Sequence, residues 1–587
     1  MIQTKLLLIG GITLISTLEQ GYALANPPLT LPEPTEHFPA FDFAQQPNPN
    51  EDRFLQPTPE PIPSEPTETD PVLPTPEEPV QPPPTESTET TIDVNSIEVV
   101  GSTVFGAEEF NPIIQPLEGR TVTINELQDA TDAIAQLYRD AGYFTSTAIL
   151  PQQNVTDGVV TIQVIEGRLA DIQIEGTERL KPSYIRKRVQ SAVTTPLRID
   201  TLEEQLRLLR TSPLFDTLNA TLEAGTEVGE SILVVRVEEA NQFFGNVSVD
   251  NYSPPSIGSE RLGVQLGYRN LIGIGDTLSG SYYRSTTGGS NLFDFSYQVP
   301  LNAKDGTLQL RTVIDRNEIT EELFEELNIE GETELYEISF RQPLIRTLRQ
   351  EFALSLGFSY RDGQTFIFDR LPTPFGIGPD EDGVSRTSVF RFGQDYVKRD
   401  IQGAWSLRSQ FNIGTDFFDA TTNDAPIPDS RFFSWFGQVQ RTQILGDNHL
   451  LIIAANLQLT PDSLLASEQF VIGGGQTLRG YRQNVRSGDN GFRFSIEDRI
   501  TLERNPSGLP TFQLAPFVDV GAVWNHPDNP NDQPDQTFLA SLGLGVLWEP
   551  IPNLNIRLDY GIPFVDLDDR RENAQDEGFH FSVDYQF

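Results

Sequence analysis

From about Asn241 to the terminal Phe587 the sequence keeps one pattern, with apolar or aromatic residues at every second position and polar or small ones between them. Leu262, Val264, Leu266 and Tyr268 alternate with Gly263, Gln265 and Gly267, and Phe293, Phe295, Tyr297 and Val299 alternate with Asp294, Ser296 and Gln298. Leu554, Ile556, Leu558 and Tyr560 do the same against Asn555, Arg557 and Asp559. A two-residue period sends alternate side chains to opposite faces of a strand. One face is therefore apolar, and the other is charged enough to need water. A soluble sandwich does not usually sustain this over so long a run, whereas a water-filled lumen inside a membrane barrel does. At about 22 residues per strand and connection, the stretch 241–587 makes about 16 antiparallel strands of a transmembrane β-barrel, the even number expected of a bacterial barrel. Its last segment, Phe579 to Phe587, carries an aromatic residue or Val at every second position through Tyr585 and ends on Phe587. Such a closing strand leaves no ladder edge unpaired in lipid and marks the barrel's C-terminal signal.

Composition narrows the function classes. With Cys 0 there is neither a disulfide framework nor thiol chemistry. A net charge of −43 opposes nucleic-acid binding, which needs clustered Lys and Arg. The four histidines, His37, His449, His526 and His580, have no metal-ligand spacing, so no metal site is expected. Walker, dinucleotide and Gly-x-Ser-x-Gly signatures are missing too, and the expectation is a protein that is not an enzyme and holds no cofactor.

The N-terminal part divides differently. Residues 1–25 have the parts of a secretory signal: Lys5, an apolar run from Leu6 to Leu18, and Ala23-Leu24-Ala25 as the cleavage site. Residues 26–92 are a Pro-rich acidic tract expected to be a disordered, stiffened spacer, because it cannot pack a core and favours extended polyproline II. An internal repeat follows. Ser96-Ile97-Glu98-Val99-Val100-Gly101 is echoed about 75 residues later by Asp171-Ile172-Gln173-Ile174-Glu175-Gly176. Thr123-x-x-Glu126 and Thr201-x-x-Glu204 read as capping boxes that open a helix in each unit, and Gly142 stops the first helix. Each unit closes on alternating strands, giving two small α+β modules at 93–168 and 169–240.

One segment inside the barrel stretch stands out: Ile472-Gly473-Gly474-Gly475-Gln476-Thr477-Leu478-Arg479-Gly480-Tyr481, followed by Gly488-Asp489-Asn490-Gly491 and by Ser495 and Glu497. Here the chain resembles the superfamily of the BAM insertase and the two-partner-secretion (TpsB) transporters of the ShlB/FhaC/HecB haemolysin secretion/activation type, whose sixth extracellular loop has an Arg-Gly-Tyr or Arg-Gly-Phe tip. In that family the loop folds into the lumen and its arginine pairs with an aspartate in a Phe-x-Asp-x-Gly strand. The resemblance implies a lumen-loop lock of Arg479, Gly480 and Tyr481 on Phe517, Asp519 and Gly521. A planar guanidinium fork met by a carboxylate fixes both the position and the orientation of a long loop.

The paired modules resemble POTRA domains, through Ala141-Gly142-Tyr143, Leu150-Pro151-Gln152-Gln153, Gly158 and Ile165-Glu166-Gly167. Two of them point to the transporter branch, since insertases usually carry more. The resemblance implies an outer-membrane pore with its POTRA domains in the periplasm, exporting a large exoprotein that has an N-terminal secretion domain. It also implies contact with outer-membrane lipids and, during biogenesis, with the barrel-assembly machinery. Client capture would add a strand to a POTRA sheet edge. Tyr143, Phe144, Pro151, Gln152 and Gln153 are the groove candidates, with Tyr143 and Phe144 equally readable as core. An insertase and a plain porin are the alternatives. Several family members also place a plug helix in the lumen, and here the Pro-rich tract, with its Phe38 to Phe43 island, stands in that position.

Overall fold

The computed structural model describes residues 91–322 and 324–587, so the expected signal segment, nearly all of the Pro-rich tract and the Phe38 to Phe43 island lie outside the described residues. Among the described residues, sixteen antiparallel strands close into a barrel, from Phe243–Asp250 to Phe579–Gln586. A two-residue strand, Leu371–Pro372, adds a small extra pairing above the wall. The alternation that defined the strands is the alternation of the wall. Leu262, Val264 and Leu266 point outward, and so do Leu542, Leu544 and Trp548, while Asp559 in the neighbouring strand Leu554–Pro563 is fully buried inside. Lipid takes the first set and the lumen the second.

The wall is uneven. The strands that flank the closure are short: Phe243–Asp250 and Phe579–Gln586 have 8 residues each, and Arg261–Arg269 has 9. Across the barrel, Glu330–Arg346, Gln350–Ile367 and Val384–Asp400 run 17, 18 and 17 residues. The first and last strands pair from Ser582↔Asp250 to Gln586↔Asn246. The chain end extends this ladder, since Phe587 and Gly245 exchange backbone bonds of 2.9 and 3.0 Å. Tyr585 and Phe587 both face outward, with Phe587 beside Phe243 at 6.0 Å between ring centroids.

Ahead of the barrel stand two modules. In the first, Ser96–Val100 and Thr147–Ile149 flank the central strand Val159–Ile165, and the helix Ile124–Asp140 buries Leu127, Ala130, Ile134 and Tyr138 against that sheet. Its capping box forms as read, with Thr123 Oγ1 accepting from Glu126 N at 3.2 Å and Glu126 returning a carboxylate to Thr123 N at 2.7 Å. The strand Thr91–Val94 pairs with Arg120–Thr123. Thr91 and Ile92 thus go with the module and not with the spacer to which the sequence assigned them, because Ile92 packs on the module core. In the second module the strand order is Arg168–Glu175, Glu230–Glu239, Phe215–Ala224, with helices Pro182–Gln190 and Ile199–Arg210. Thr201 is not a cap here. The helix starts two residues earlier, and Thr201 Oγ1 bonds back to Arg198 O at 3.1 Å.

Glu166 staples the first module. It accepts bonds from Thr103 N (2.6 Å), Thr103 Oγ1 (2.5 Å), Tyr138 Oη (2.9 Å) and Val104 N (3.2 Å). Burial alone would raise its pKa, but these bonds, led by those from Thr103, outweigh it and hold the carboxyl below its ordinary value. A depressed folded value means that the stabilisation is complete above the unfolded pKa and is lost as pH falls through the folded one. Glu166→Gln is therefore expected to flatten the acid-induced loosening of residues 102–105. The check is amide hydrogen exchange of the full chain, corrected for intrinsic rates, from about pH 6 down to about pH 3. An unchanged acid slope in the variant would refute this role.

The second module is seated on the periplasmic rim. Lys181 N donates to Gly273 O (2.9 Å), and Arg179 Nη1 reaches Tyr268 Oη (2.5 Å). Arg188 Nε donates to Asp305 Oδ1 at 3.0 Å in the turn after the fourth barrel strand, while the guanidinium lies 3.5 Å from the centroid of Tyr184. The two modules are themselves joined by backbone, with Leu197 N on Gly167 O at 2.7 Å.

Candidate functional site

The sixth extracellular loop, residues 460–489, does not stay outside. A hairpin of Phe470–Ile472 with Arg486–Gly488 stiffens its stem, and the tip between them turns into the lumen. Gly473 and Gly474, at φ +109° and +101°, make the turn, and Thr477 Oγ1 closes it on Gly473 O at 2.6 Å. A Cβ on Gly475 would come within 2.3 Å of the Tyr252 ring, so the backbone passes where a side chain cannot.

The tip ends in a buried charge cluster. Arg479 meets Asp519 with a fork, Nε to Oδ2 at 2.7 Å and Nη2 to Oδ1 at 2.9 Å, and its backbone N donates to the same carboxylate at 3.1 Å. Its Nη1 bonds Glu497 and lies 3.7 Å from Asp559 Oδ1. Arg557 bridges Asp559 at 2.6 Å and Glu497 at 2.7 Å, and Arg499 holds the other oxygen of Glu497 at 2.8 Å. Ser495 Oγ donates to Asp519 Oδ1 at 2.6 Å. The guanidinium of Arg479 lies flat on Phe517, 3.5 Å from the ring centroid. Charges this deeply buried persist only when each is paired and hydrogen-bonded, and here guanidinium and carboxylate groups interleave across the loop, two neighbouring strands and a third strand that stands one place further along the wall.

Flanking residues lock the same seat. Tyr481 is buried, donates to Ala540 O at 2.8 Å and accepts from Val565 N at 3.2 Å. Gly480, at φ +92°, lies so close to the wall that a Cβ on Gly561 would meet its N at 2.6 Å, a backbone-on-backbone approach that neither position can relieve. Gly521 accommodates the fully buried Leu478, whose Cδ1 would stand 3.0 Å from any Cβ there. Beneath the seated loop is a cavity of about 720 Å³, lined among others by Gln438, Gln440, Arg493 and Arg499.

The structure thus brings Arg479, Gly480, Tyr481, Phe517, Asp519 and Gly521 together. It adds Glu497, Arg499, Arg557 and Asp559, to which the sequence reading gave no part in the lock. Arg557 and Asp559 were visible as charges on the lumen face of an alternating strand, but nothing in one strand tells which loop it meets. The groove candidates scatter. Tyr143 packs against the first core, 6.0 Å from Tyr138, with Arg198 of the second module 5.8 Å away, which is the core alternative. Phe144 is 48% exposed and Gln152 is exposed, while Pro151 is half-buried. Gln153 is tied down: its amide accepts from Thr161 N at 2.7 Å and donates to Thr161 O at 2.7 Å, filling the bonding positions an added strand would use there.

A sixteen-stranded barrel with small α+β modules ahead of it and a loop drawn into its lumen defines an outer-membrane β-barrel protein of the transporter or insertase kind. Comparison with known proteins gives the family. The haemolysin secretion/activation protein family ShlB/FhaC/HecB matches residues 229–547, more than half of the chain, and the ShlB-type POTRA domain matches residues 92–167. The chain belongs to this family and is an outer-membrane transporter of two-partner secretion, with its POTRA domains in the periplasm. It is 25% identical over 452 residues to the outer membrane transporter CdiB of Escherichia coli, covering 74% of this chain and 73% of that one. It is 23% identical over 524 residues to the heme/hemopexin transporter protein HuxB of Haemophilus influenzae, covering 84% and 85%. The solved structure of CdiB from Escherichia coli superposes with a TM-score of 0.64 at 22% identity, covering 87% of this chain and 93% of that one. Of the three readings the sequence left open, transporter, insertase and porin, the family match selects the transporter.

Proposed function

We propose that this barrel exports a large exoprotein through its lumen and that the Arg479 loop is a lock that must shift for the client to pass and return to its seat to restore the lumen for transport. The observation that carries this reading is the position of Arg479, buried in the lumen on Asp519 and Glu497 where an extended chain would have to travel. The client is recognised by its N-terminal secretion domain at the periplasmic modules, at 93–168 and 169–240 apart from the two residues noted above. The edge strand Phe215–Ala224, 10 residues long, is the docking edge. The opposite edge, Arg168–Glu175, is blunted, because Ile172 O is taken by Arg186 at 3.0 and 3.2 Å and Ile172 N by Asp171 at 2.8 Å. Passage needs no catalytic group, cofactor or metal. Burial of the client's apolar surface once it is outside makes the step one-way. Tyr585 and Phe587, on the outward face of the last strand, are the signal read by the barrel-assembly machinery when the chain itself is inserted among outer-membrane lipids.

The test is release of a large exoprotein that carries an N-terminal secretion domain, in cells with and without this chain. Exoprotein held in the periplasm without the chain and released on complementation is the expected result. Equal release in both would remove the function proposed.

A further inference from the structure

The Arg479 loop touches more than its ion-pair seat. Just past Tyr481 the chain is held by the last extracellular hairpin, residues 564–578. Arg482 pairs with Asp569 at 2.5 Å and Asp576 at 3.2 Å, and Arg486 with Asp569 at 2.9 Å. Between them, Gln483 N donates to Gln575 Oε1 at 2.8 Å. Gln575 is fully buried, and its amide nitrogen donates the other way, to Asn251 O at 2.5 Å and Ser253 O at 2.7 Å.

Those two carbonyls lie just past the end of the first barrel strand, Phe243–Asp250. Beyond Asp250 the first and last strands no longer pair by backbone register, and Asn251 takes over. Its amide donates to Phe579 O at 2.9 Å and accepts from Phe581 N at 2.8 Å, while its backbone N reaches Phe581 O at 3.2 Å. Asn251 is fully buried, and Ser253 and Gln483 nearly so. A buried amide that loses a partner has no water to replace it, so it turns or moves. The oxygen of Gln575 is held by the loop, and its nitrogen holds the strand whose next residue closes the seam.

We propose that Gln575 is a positioning residue that ties the seating of the Arg479 loop to closure of the outer end of the barrel's first-to-last seam. It rests on the reading of that loop as the moving part. When the loop leaves its seat, Gln483 is withdrawn, Gln575 loses its anchor, and the bonds of Asn251 to the last strand loosen.

The experiment uses the full chain in lipid bilayers and reads amide hydrogen exchange in residues 245–253 and 579–587. The proteins compared are the wild type, Arg479→Ala, Gln575→Ala and the double variant. Each single substitution is expected to speed seam exchange about tenfold, and the double is expected to be no faster than Gln575→Ala alone, because the path is already cut. A merely structural glutamine would give effects that multiply. Multiplying effects, or a seam indifferent to Arg479→Ala, would overturn the coupling. Gln575→Met keeps the volume without the bonds and serves the same comparison if the alanine variant does not reach the membrane. Gln575→Glu keeps the acceptor but loses both donors, and is expected to match alanine at the seam. Secretion measured in the same strains separates the two readings. Secretion lost in Arg479→Ala with an unmoved seam overturns only the coupling, while a loosened seam with normal secretion supports the coupling and overturns the lock.

Discussion

Arg479→Ala is expected to stop secretion of the partner exoprotein while the barrel remains in the outer membrane. The substitution removes the guanidinium that touches Asp519, Glu497 and Asp559 together and leaves Asp519 to the hydroxyl of Ser495. Removing one member of a buried ion pair costs about 3–5 kcal/mol, because the other charge stays desolvated and unpaired. At about 1.4 kcal/mol per tenfold, the loop's preference for its seat drops by roughly 100- to 1000-fold or more. Arg479→Lys restores the charge but not the fork, and is expected to recover only part of the loss. The measurement pairs exoprotein in the medium with protease cleavage of residues 460–489 on intact cells. A loop newly open to cleavage with undiminished secretion would show that its seating is irrelevant to transport.

The second large effect lies at the other end of the lumen. Arg188→Glu is expected to unseat the second POTRA module from the barrel rim and to reduce secretion at least tenfold. The Arg188 side chain is 5% exposed, sandwiched between Tyr184 and Asp305. Asp305 is also paired with Arg346, so truncation alone leaves it a partner, whereas charge reversal sets two carboxylates against each other. Reversal of a buried contact of this kind costs about 2–5 kcal/mol. The swap Arg188→Glu with Asp305→Arg is expected to restore secretion in part, with protection of the connection at residues 240–242 following it. A swap no better than the single reversal would mean that this contact does not set the module's position.

The parts that could be read from the chain alone are those with a local physical signature. A membrane barrel separates two solvents with a wall one residue thick, so Leu262, Val264 and Leu266 announce the strand wherever it sits. The Arg479 to Asp519 contact was reachable because loop and strand each carry a short motif. Glu497, Arg557 and Asp559 are ordinary lumen charges until the closed barrel brings their strands around one loop. Gln575 is further from view, since its partner carbonyls on Asn251 and Ser253 lie 324 and 322 residues away and join it only when the barrel closes. The misplaced cap at Thr201 has a local cause. Asp200 already offers a carboxylate to Thr201 N at 2.8 Å, so the turn forms ahead of the threonine and carries it into the helix. Gln153 shows the converse, a residue with the surface chemistry of a binding groove spent on its own strand.

The unequal strands mean that this protein does not meet the membrane as an upright cylinder. Eight residues at about 3.4 Å each, tilted by about 40°, give a wall roughly 21 Å tall, short of the apolar band of about 25 Å typical of outer-membrane barrels. Strands of 17 and 18 residues on the far side rise well past it. Lipids beside the short strands must compress or tilt to cover the apolar wall, at a cost of fractions of a kcal/mol per ångström. The bilayer therefore stands thinnest at the place where the barrel begins and ends, and any change in lipid chain length is felt first there.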